Sequence, residues 1–301
     1  MLSADPKWPP AASLLNTRTP AEGSRPDVAL LGAHTYATSV TARSERSTPA
    51  AVRAALARYS TWSFEDGVDL GAGLALLDCG DVDAPDGDDG ARALGDLLNS
   101  LDAGLWVVLG GDNALTWRAL SALARGSLGE WGLITLDAHL DMREGRSNGS
   151  PVRQLLDEGL EGSHVVQVGL ADFSNSGAYA ADARDAGVRL IARHELRRRT
   201  LDDVVAEALE VAGAGGRRVY VDVDMDVCDR SVVPGCPAAA PGGLSADQLR
   251  ELVRRLCADA RVRALDVTEI DVTRDAPDER TVRLAALVVL EALAGYLRRG
   301  T

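Results

Sequence analysis

The chain has 301 residues, 46% hydrophobic and 26% charged, enough to bury a substantial core; a collagen-like, low-complexity or disulfide-scaffold protein is excluded. A formal net charge of −13 argues against a general nucleic-acid binder and against docking on anionic lipid. The four cysteines, Cys79, Cys228, Cys236 and Cys257, form no C-x-x-C pair, and no apolar run reaches the ~18 residues of a membrane span, so a cytoplasmic protein with no membrane contact is expected.

Residues 1–25 are proline-rich and read as an N-terminal extension, neither signal peptide nor anchor; 26–301 read as one domain. A strand is predicted over 28–33, then a helix over 48–59 with Thr48 as N-cap and Pro49 at its first position. A strand over 74–78 precedes an acidic turn-rich loop, 81–89, and a helix over 91–101. The strand 105–109 runs into Gly110-Gly111-Asp112-Asn113 and the helix 114–125; the strand 132–136 ends in Asp137. The alternation continues with helix 151–158, strand 165–169, helix 178–186, strand 189–192, helix 201–212 and strand 219–223. A helix over 245–257 capped by Ser245, a strand over 263–267 and a closing helix over 280–297 complete it. This order predicts an α/β fold of three layers, α/β/α, with a mostly parallel sheet that binds its ligand beyond the carboxyl ends of the strands.

Those ends carry acids. Leu136 is followed by Asp137-Ala138-His139-Leu140-Asp141, Val221 by Asp222-Val223-Asp224-Met225-Asp226, and Val267 by Thr268-Glu269-Ile270-Asp271; Asp112-Asn113 ends a fourth strand. Spacing by two sends Asp137, His139 and Asp141 to one side, and Asp222 and Asp224 likewise. Carboxylates gathered at a buried strand end repel unless a cation neutralises them, and a mixed carboxylate–imidazole set suits Mn²⁺, held as a pair. His34 follows the first strand at an end where a substrate could sit, whereas His164 and His194 read as surface residues.

These segments resemble the ureohydrolase family: arginase, agmatinase, guanidinobutyrase and formimidoylglutamase. Gly110-Gly111-Asp112-Asn113 resembles its G-G-D-H segment, and Asp137–Asp141 matches D-A-H-x-D. The run 220–244 resembles its S-x-D-x-D stretch and Pro-Gly-rich loop, and Leu265-Asp266-Val267-Thr268-Glu269 resembles the segment that supplies a substrate-facing glutamate. The resemblance spans roughly 28–297 and implies the arginase-like fold and two Mn²⁺ ions. It implies that Asp137 and Asp222 bridge them, that Asn113 and Asp141 complete the first site, and that His139 and Asp224 complete the second. Asp141 is then the proton carrier and Glu269 the acceptor for the amidine N–H groups. A homo-oligomer, trimer or hexamer, is also implied.

Two departures bear on the reaction. Asn113 stands at the family's histidine position, and an amide oxygen is a weaker ligand than imidazole, so the first site is expected to bind less tightly. Asn148 stands where arginases and agmatinases place a proton-shuttling histidine in H-G-x-P. The run 148–153 is more similar to formimidoylglutamase-type members, so the expected reaction is hydrolysis of N-formimidoyl-L-glutamate to glutamate and formamide. Asn148 and Glu269 are expected at the substrate, and Arg153, with Arg143 and Arg146, is a candidate for its carboxylates. A guanidino hydrolase releasing urea is the alternative, and a metal-poor binding protein the second. Cys228 and Cys236 sit in or near the loop after Asp222–Asp226, where they could form a redox pair.

Overall fold

The computed structural model describes residues 5, 7–16 and 25–300; the rest of the 1–25 extension and Thr301 lie outside the described residues. The apolar runs form strands β1 (Val28–Ala33), β2 (Leu76–Asp81), β3 (Leu105–Gly110), β4 (Trp131–Leu136), β5 (Val165–Leu170), β6 (Arg189–Ala192), β7 (Arg218–Asp224) and β8 (Val262–Thr268). They pair in parallel in the order β2-β1-β3-β8-β7-β4-β5-β6. The central strands β1, β3, β4 and β5 are buried at every residue because helices cover both faces. The edges discourage further pairing: β2 is half-exposed and acidic, and β6 has only four residues.

The amphipathic stretches form α1 (Thr48–Ala55), α2 (Asp88–Ser100), α3 (Ala114–Ala124), α4 (Pro151–Asp157), α5 (Gly177–Asp185), α6 (Leu201–Ala212), α7 (Ala246–Cys257) and α8 (Arg280–Leu297). Alternation along β1 divides the core between the layers. Leu30 packs with the side chains of α1, α6, α7 and α8, whereas Ala29 and Leu31 pack with those of α2, α3, α4 and α5. In α7 the buried residues Leu249, Leu252, Val253 and Leu256 recur at helical spacing. Ser245 Oγ accepts from Gln248 N–H while Gln248 accepts from Ser245 N–H, a capping box worth about 1 kcal/mol.

Several boundaries differ from the sequence reading. The cap of α1 is Ser47, whose Oγ accepts from Ala50 N–H, because the Thr48 hydroxyl donates instead to Ile270 O in the interior. The helix stops at Ala55 and tightens into a 3-10 turn, Leu56–Arg58. The second strand begins at Leu76 and continues to Asp81. A hairpin of Trp62–Ser63 against Val68–Asp69, and the four-residue helices Leu70–Gly73 and Arg193–Leu196, are too short to carry a periodic pattern. Within the expected extension, Ala11 and Leu14 of the 3-10 turn Ala11–Asn16 are buried in the core. Among the described residues, no helix is long and apolar enough to cross a membrane.

This strand order places β3, β8, β7 and β4 side by side at the middle of the sheet. The four acid-bearing segments therefore leave one end of the molecule as neighbours.

Candidate functional site

Beyond β4, Asp137 turns its Oδ1 back to accept from His139 N–H at 2.6 Å. Beyond β7, Asp224 Oδ1 accepts from Asp226 N–H at 2.8 Å and caps the 3-10 turn Met225–Val227. That turn brings Asp226 Oδ2 to 3.0 Å from His139 Nδ1, while Asp137 Oδ1 stands at 3.5 Å. One ligand atom each from Asp137, His139 and Asp226 lie within 4.8 Å of one another, as do one each from Asp224, Asp226 and Glu269. Arg193, 8% exposed, braces the turn by donating to Asp226 O and Val227 O. Asp141 (φ 51°) and Glu269 (φ 66°) hold left-handed backbone conformations, a strain of about 1 kcal/mol or more each that the surrounding contacts sustain.

The cluster is electrostatically frustrated. Burial, reinforced by neighbouring carboxylates, raises Asp141 and Asp224 well above the usual carboxylate range and pushes Asp137 up to about 6. His139 is opposed by burial, yet the Asp226 and Asp137 carboxylates beside it raise it to about 11. Asp226 in turn is penalised by burial but held below its ordinary value by the His139 imidazolium. Asp137 Oδ2 is buried with no hydrogen-bond partner among the described residues. An orphaned carboxylate oxygen, crowded acids and one imidazole form a donor set that fits divalent cations of the Mn²⁺ class, and the overlap of two ligand groups at Asp226 fits a pair.

The expected pairing of Asp222 with Asp224 is shifted by two residues. Asp222 lies within β7, in register with Asp266 of β8 and Thr135 of β4, and is fully buried. Its carboxylate accepts from Asn113 Nδ2 at 3.3 Å and Thr268 Oγ1 at 3.5 Å, while Asp226 is the acid at His139. The S-x-D-x-D pattern laid with Asp222 at its first position puts Asp224 and Asp226 on its two acids. That second alignment was available in the Asp222-x-Asp224-x-Asp226 alternation, and the distances favour it.

Asn113 sits where β3 meets α3, its side chain among buried polar groups. Its Nδ2 donates to Asp141 Oδ2 at 2.6 Å, and its Oδ1 lies 2.6 Å from Thr116 Oγ1 and 3.1 Å from Thr268 Oγ1. Thr116 Oγ1 is also 2.8 Å from Asp266 Oδ2, and each hydroxyl has one proton to give. Turning the amide by 180° lets its NH₂ donate to both threonines, which then donate to Asp266 and Asp222. That arrangement aims Oδ1 at Asp141 and is favourable with a cation, or the proton of a neutral Asp141, between the two oxygens.

Glu269 Oε1 accepts from Asn113 N–H at 2.9 Å and Asn148 Nδ2 at 2.8 Å, and its Oε2 pairs with Arg43, a residue the sequence reading did not single out. These groups border a cavity of about 300 Å³ lined by Arg43, His139, Asp141, Asn148, Asp224 and Glu269, among others. The loop 34–47 that carries Arg43 is tied down by Thr35 and Ser39 to Asp112, by Val40 N–H to Asn148 Oδ1, and by Tyr36 N–H to Asp86. Gly111 permits the close approach, since a Cβ there would stand 2.2 Å from Thr35 O. His34 is absorbed in this scaffold, bonding Ser44 O at 3.2 Å, and does not line the cavity. Arg153 does not line it either: it donates to Met142 O and Asp182 and lies over the Tyr179 ring. Arg143 does line it, and Arg146 lies over Trp117 instead. Cys228 and Cys236 are buried free thiols.

The family model for the arginase family matches residues 26–295. A formimidoylglutamase of Bacillus subtilis (strain 168) is 36% identical over 279 residues, 89% of this chain and 86% of that protein. The crystal structure of formimidoylglutamase from Bacillus subtilis subsp. subtilis str. 168 superposes with a TM-score of 0.87 at 33% identity, covering 97% of this chain and 93% of that one. A Trypanosoma cruzi formiminoglutamase solved with Mn²⁺ superposes with a TM-score of 0.86 at 25% identity, covering 97% of this chain and 99% of that one. The parallel eight-stranded sheet, the acid–imidazole cluster beyond its central strands and these matches across nearly the whole chain together make it a member of the arginase family.

Proposed function

We propose that the protein hydrolyses the linear amidine of N-formimidoyl-L-glutamate, giving L-glutamate and formamide. The carrying observation is the convergence of Asp137, His139, Asp141, Asp224 and Asp226 beyond the central strands, beside a cavity whose wall carries Asn148 and no shuttle histidine. The formimidoylglutamase relatives support the same substrate. Residues 26–301 act as the one catalytic domain. Two Mn²⁺ ions per chain would be held among Asp137, His139, Asp141, Asp224 and Asp226, with the oxygen of the turned Asn113 amide as a further donor. Bound there, the ions supply a water-derived nucleophile near neutral pH.

The chain's own residues do the rest. Glu269, fixed by Asn113 and Asn148, presents a carboxylate to the amidine and orients its carbon. Asp141, in the wall of the cavity, accepts the proton released as the C–O bond forms and returns it to the nitrogen of glutamate as the C–N bond breaks. Asn148 can position but cannot relay a proton, which suits a formimidoyl group better than the more resonance-stabilised guanidinium. The setting proposed with this reading is the cytoplasm, supported by the lack of a long apolar run, and a homo-oligomer, supported by the family resemblance alone.

The test is product release by Mn-loaded protein from formimidoylglutamate, agmatine, arginine and guanidinobutyrate. Formamide from the first alone is expected. Urea from a guanidino compound overturns the substrate, and silence on all four with no metal retained overturns the enzyme.

A further inference from the structure

Resting on that reading of the substrate, the geometry points to Arg43 as the residue that receives the substrate's α-carboxylate and thereby selects amidines built on an α-amino acid. Its side chain is 2% exposed and lines the same cavity as the acid cluster. One guanidinium nitrogen, Nη2, is committed to Glu269, while Nε and Nη1 are buried with no partner among the described residues. Buried guanidinium N–H groups left without acceptors are costly, and the residue that carries them lines the cavity proposed to take an anionic substrate. Nη1 has two N–H groups and Nε one, so an anion can be held by these donors while Nη2 keeps Glu269.

The position suits one carboxylate in particular. Glu269 is the acceptor for the amidine, and Arg43 is its immediate neighbour. In N-formimidoyl-L-glutamate the α-carboxylate is separated from the amidine nitrogen by a single carbon, whereas the side-chain carboxylate is three carbons away. The α-carboxylate is therefore the group that reaches Arg43 when the amidine lies at Glu269. The loop holding Arg43 is fastened by Ser39, Val40 and Thr35 on one side and by Ser44 N–H to Asp271 on the other, so the guanidinium is positioned before substrate arrives. A substrate with hydrogen in place of that carboxylate, such as agmatine, leaves the donors unsatisfied.

The experiment compares wild type with Arg43→Met and Arg43→Lys on three amidines: N-formimidoyl-L-glutamate, N-formimidoyl-L-2-aminobutyrate, which keeps only the α-carboxylate, and N-formimidoyl-4-aminobutyrate, which keeps only the distal one. For Arg43→Met, KM is expected to rise about 10- to 100-fold more on the first two than on the third, whose change reports only the loss of the Glu269 pair, with partial recovery in Arg43→Lys. Equal losses on all three would assign Arg43 to holding Glu269 alone and overturn the proposal, as would unchanged KM on all three. Binding of L-glutamate and of 4-aminobutyrate, measured by calorimetry, is the readout that does not need turnover. Wild type is expected to prefer L-glutamate and Arg43→Met to lose that preference; a preference kept in Arg43→Met overturns the proposal even if the variant is inactive. Wild-type protein that binds L-glutamate through Arg43 yet releases no formamide would fail the proposed reaction and leave the role of Arg43 standing.

Discussion

The two ends of the sheet use the same side chains to opposite effect. At the amino end, around a hollow of about 480 Å³, Arg218 pairs with Glu130 and lies 4.9 Å from the Trp131 ring centre, and Arg263 and Arg25 share Asp102. These pairs are solvated and neutralise one another, so each contributes little, at most about 1 kcal/mol. At the carboxyl end, Asp137, Asp141, Asp222, Asp224, Asp226 and Glu269 are all buried, and among the described residues His139 and Arg43 are the cations that pair with their carboxylates. An exposed excess of charge is settled by solvent and neighbours, whereas a buried excess of acid has to be settled by protons or by bound cations. That contrast marks the functional end independently of any motif.

The largest effects expected lie in the buried cluster. Asp224→Asn or Asp226→Asn should lose Mn²⁺ and lower formamide release by more than about 100-fold, whereas Asp222→Asn should keep both ions. Metal analysis together with turnover checks this, and metal lost from Asp222→Asn but kept by Asp226→Asn would restore the pairing of Asp222 with Asp224. Next, Mn²⁺ uptake should release protons, because in the metal-free protein His139, at about 11, carries one at neutral pH and Asp137, at about 6, carries one below that value. Affinity should rise about tenfold per pH unit for each proton released, read by titration in a weakly buffered indicator.

A third prediction concerns stability. Asp137 and Asp266 are both raised to about 6, chiefly by burial. A carboxyl raised on folding stabilises fully below its unfolded value, about 4, and that contribution is lost as pH rises through the folded one. The Tm of metal-free protein should therefore fall from about pH 4 to pH 7, and saturating Mn²⁺ should flatten the fall. An unchanged Tm across that window would mean that the cluster is not strained without metal.

Smaller still, Asn113→His should tighten metal binding while changing turnover by less than about tenfold, since imidazole is the stronger ligand. Unchanged affinity would remove Asn113 from the ligand set. At the far end, Arg218→Ala should cost less than about 1 kcal/mol and leave turnover untouched, as measured by denaturant unfolding and formamide release.

Most of the fold was legible because burial on both faces writes β1, β3, β4 and β5 as continuous apolar runs, and because α6 and α8 begin and end where their periodic patterns do. The misses are elements with no room for a pattern, such as the hairpin Trp62–Ser63 with Val68–Asp69, and a cap whose side chain was claimed by the interior, Thr48. At the candidate site, the gathering of Asp137, His139, Asp141, Asp224 and Glu269 at one end of the sheet was readable from their places at strand ends. Arg43 was not: it lies 226 residues from Glu269 in a loop with nothing local to distinguish it among the chain's arginines.

What the sequence determined by itself is the layered parallel sheet, the end of it that carries chemistry, and a set of acids and one imidazole that calls for divalent cations. These follow from local periodicity and from charge that a buried strand end cannot tolerate alone. What only the tertiary structure decided is which of three alternating aspartates reaches His139, which way the Asn113 amide is pressed, and which arginine stands at Glu269. Those depend on where β7 ends, on its register against β8 and β4, and on how the loop 34–47 folds over Gly111. Register and loop docking are set by contacts between segments far apart in the chain, so no local pattern in the sequence records them.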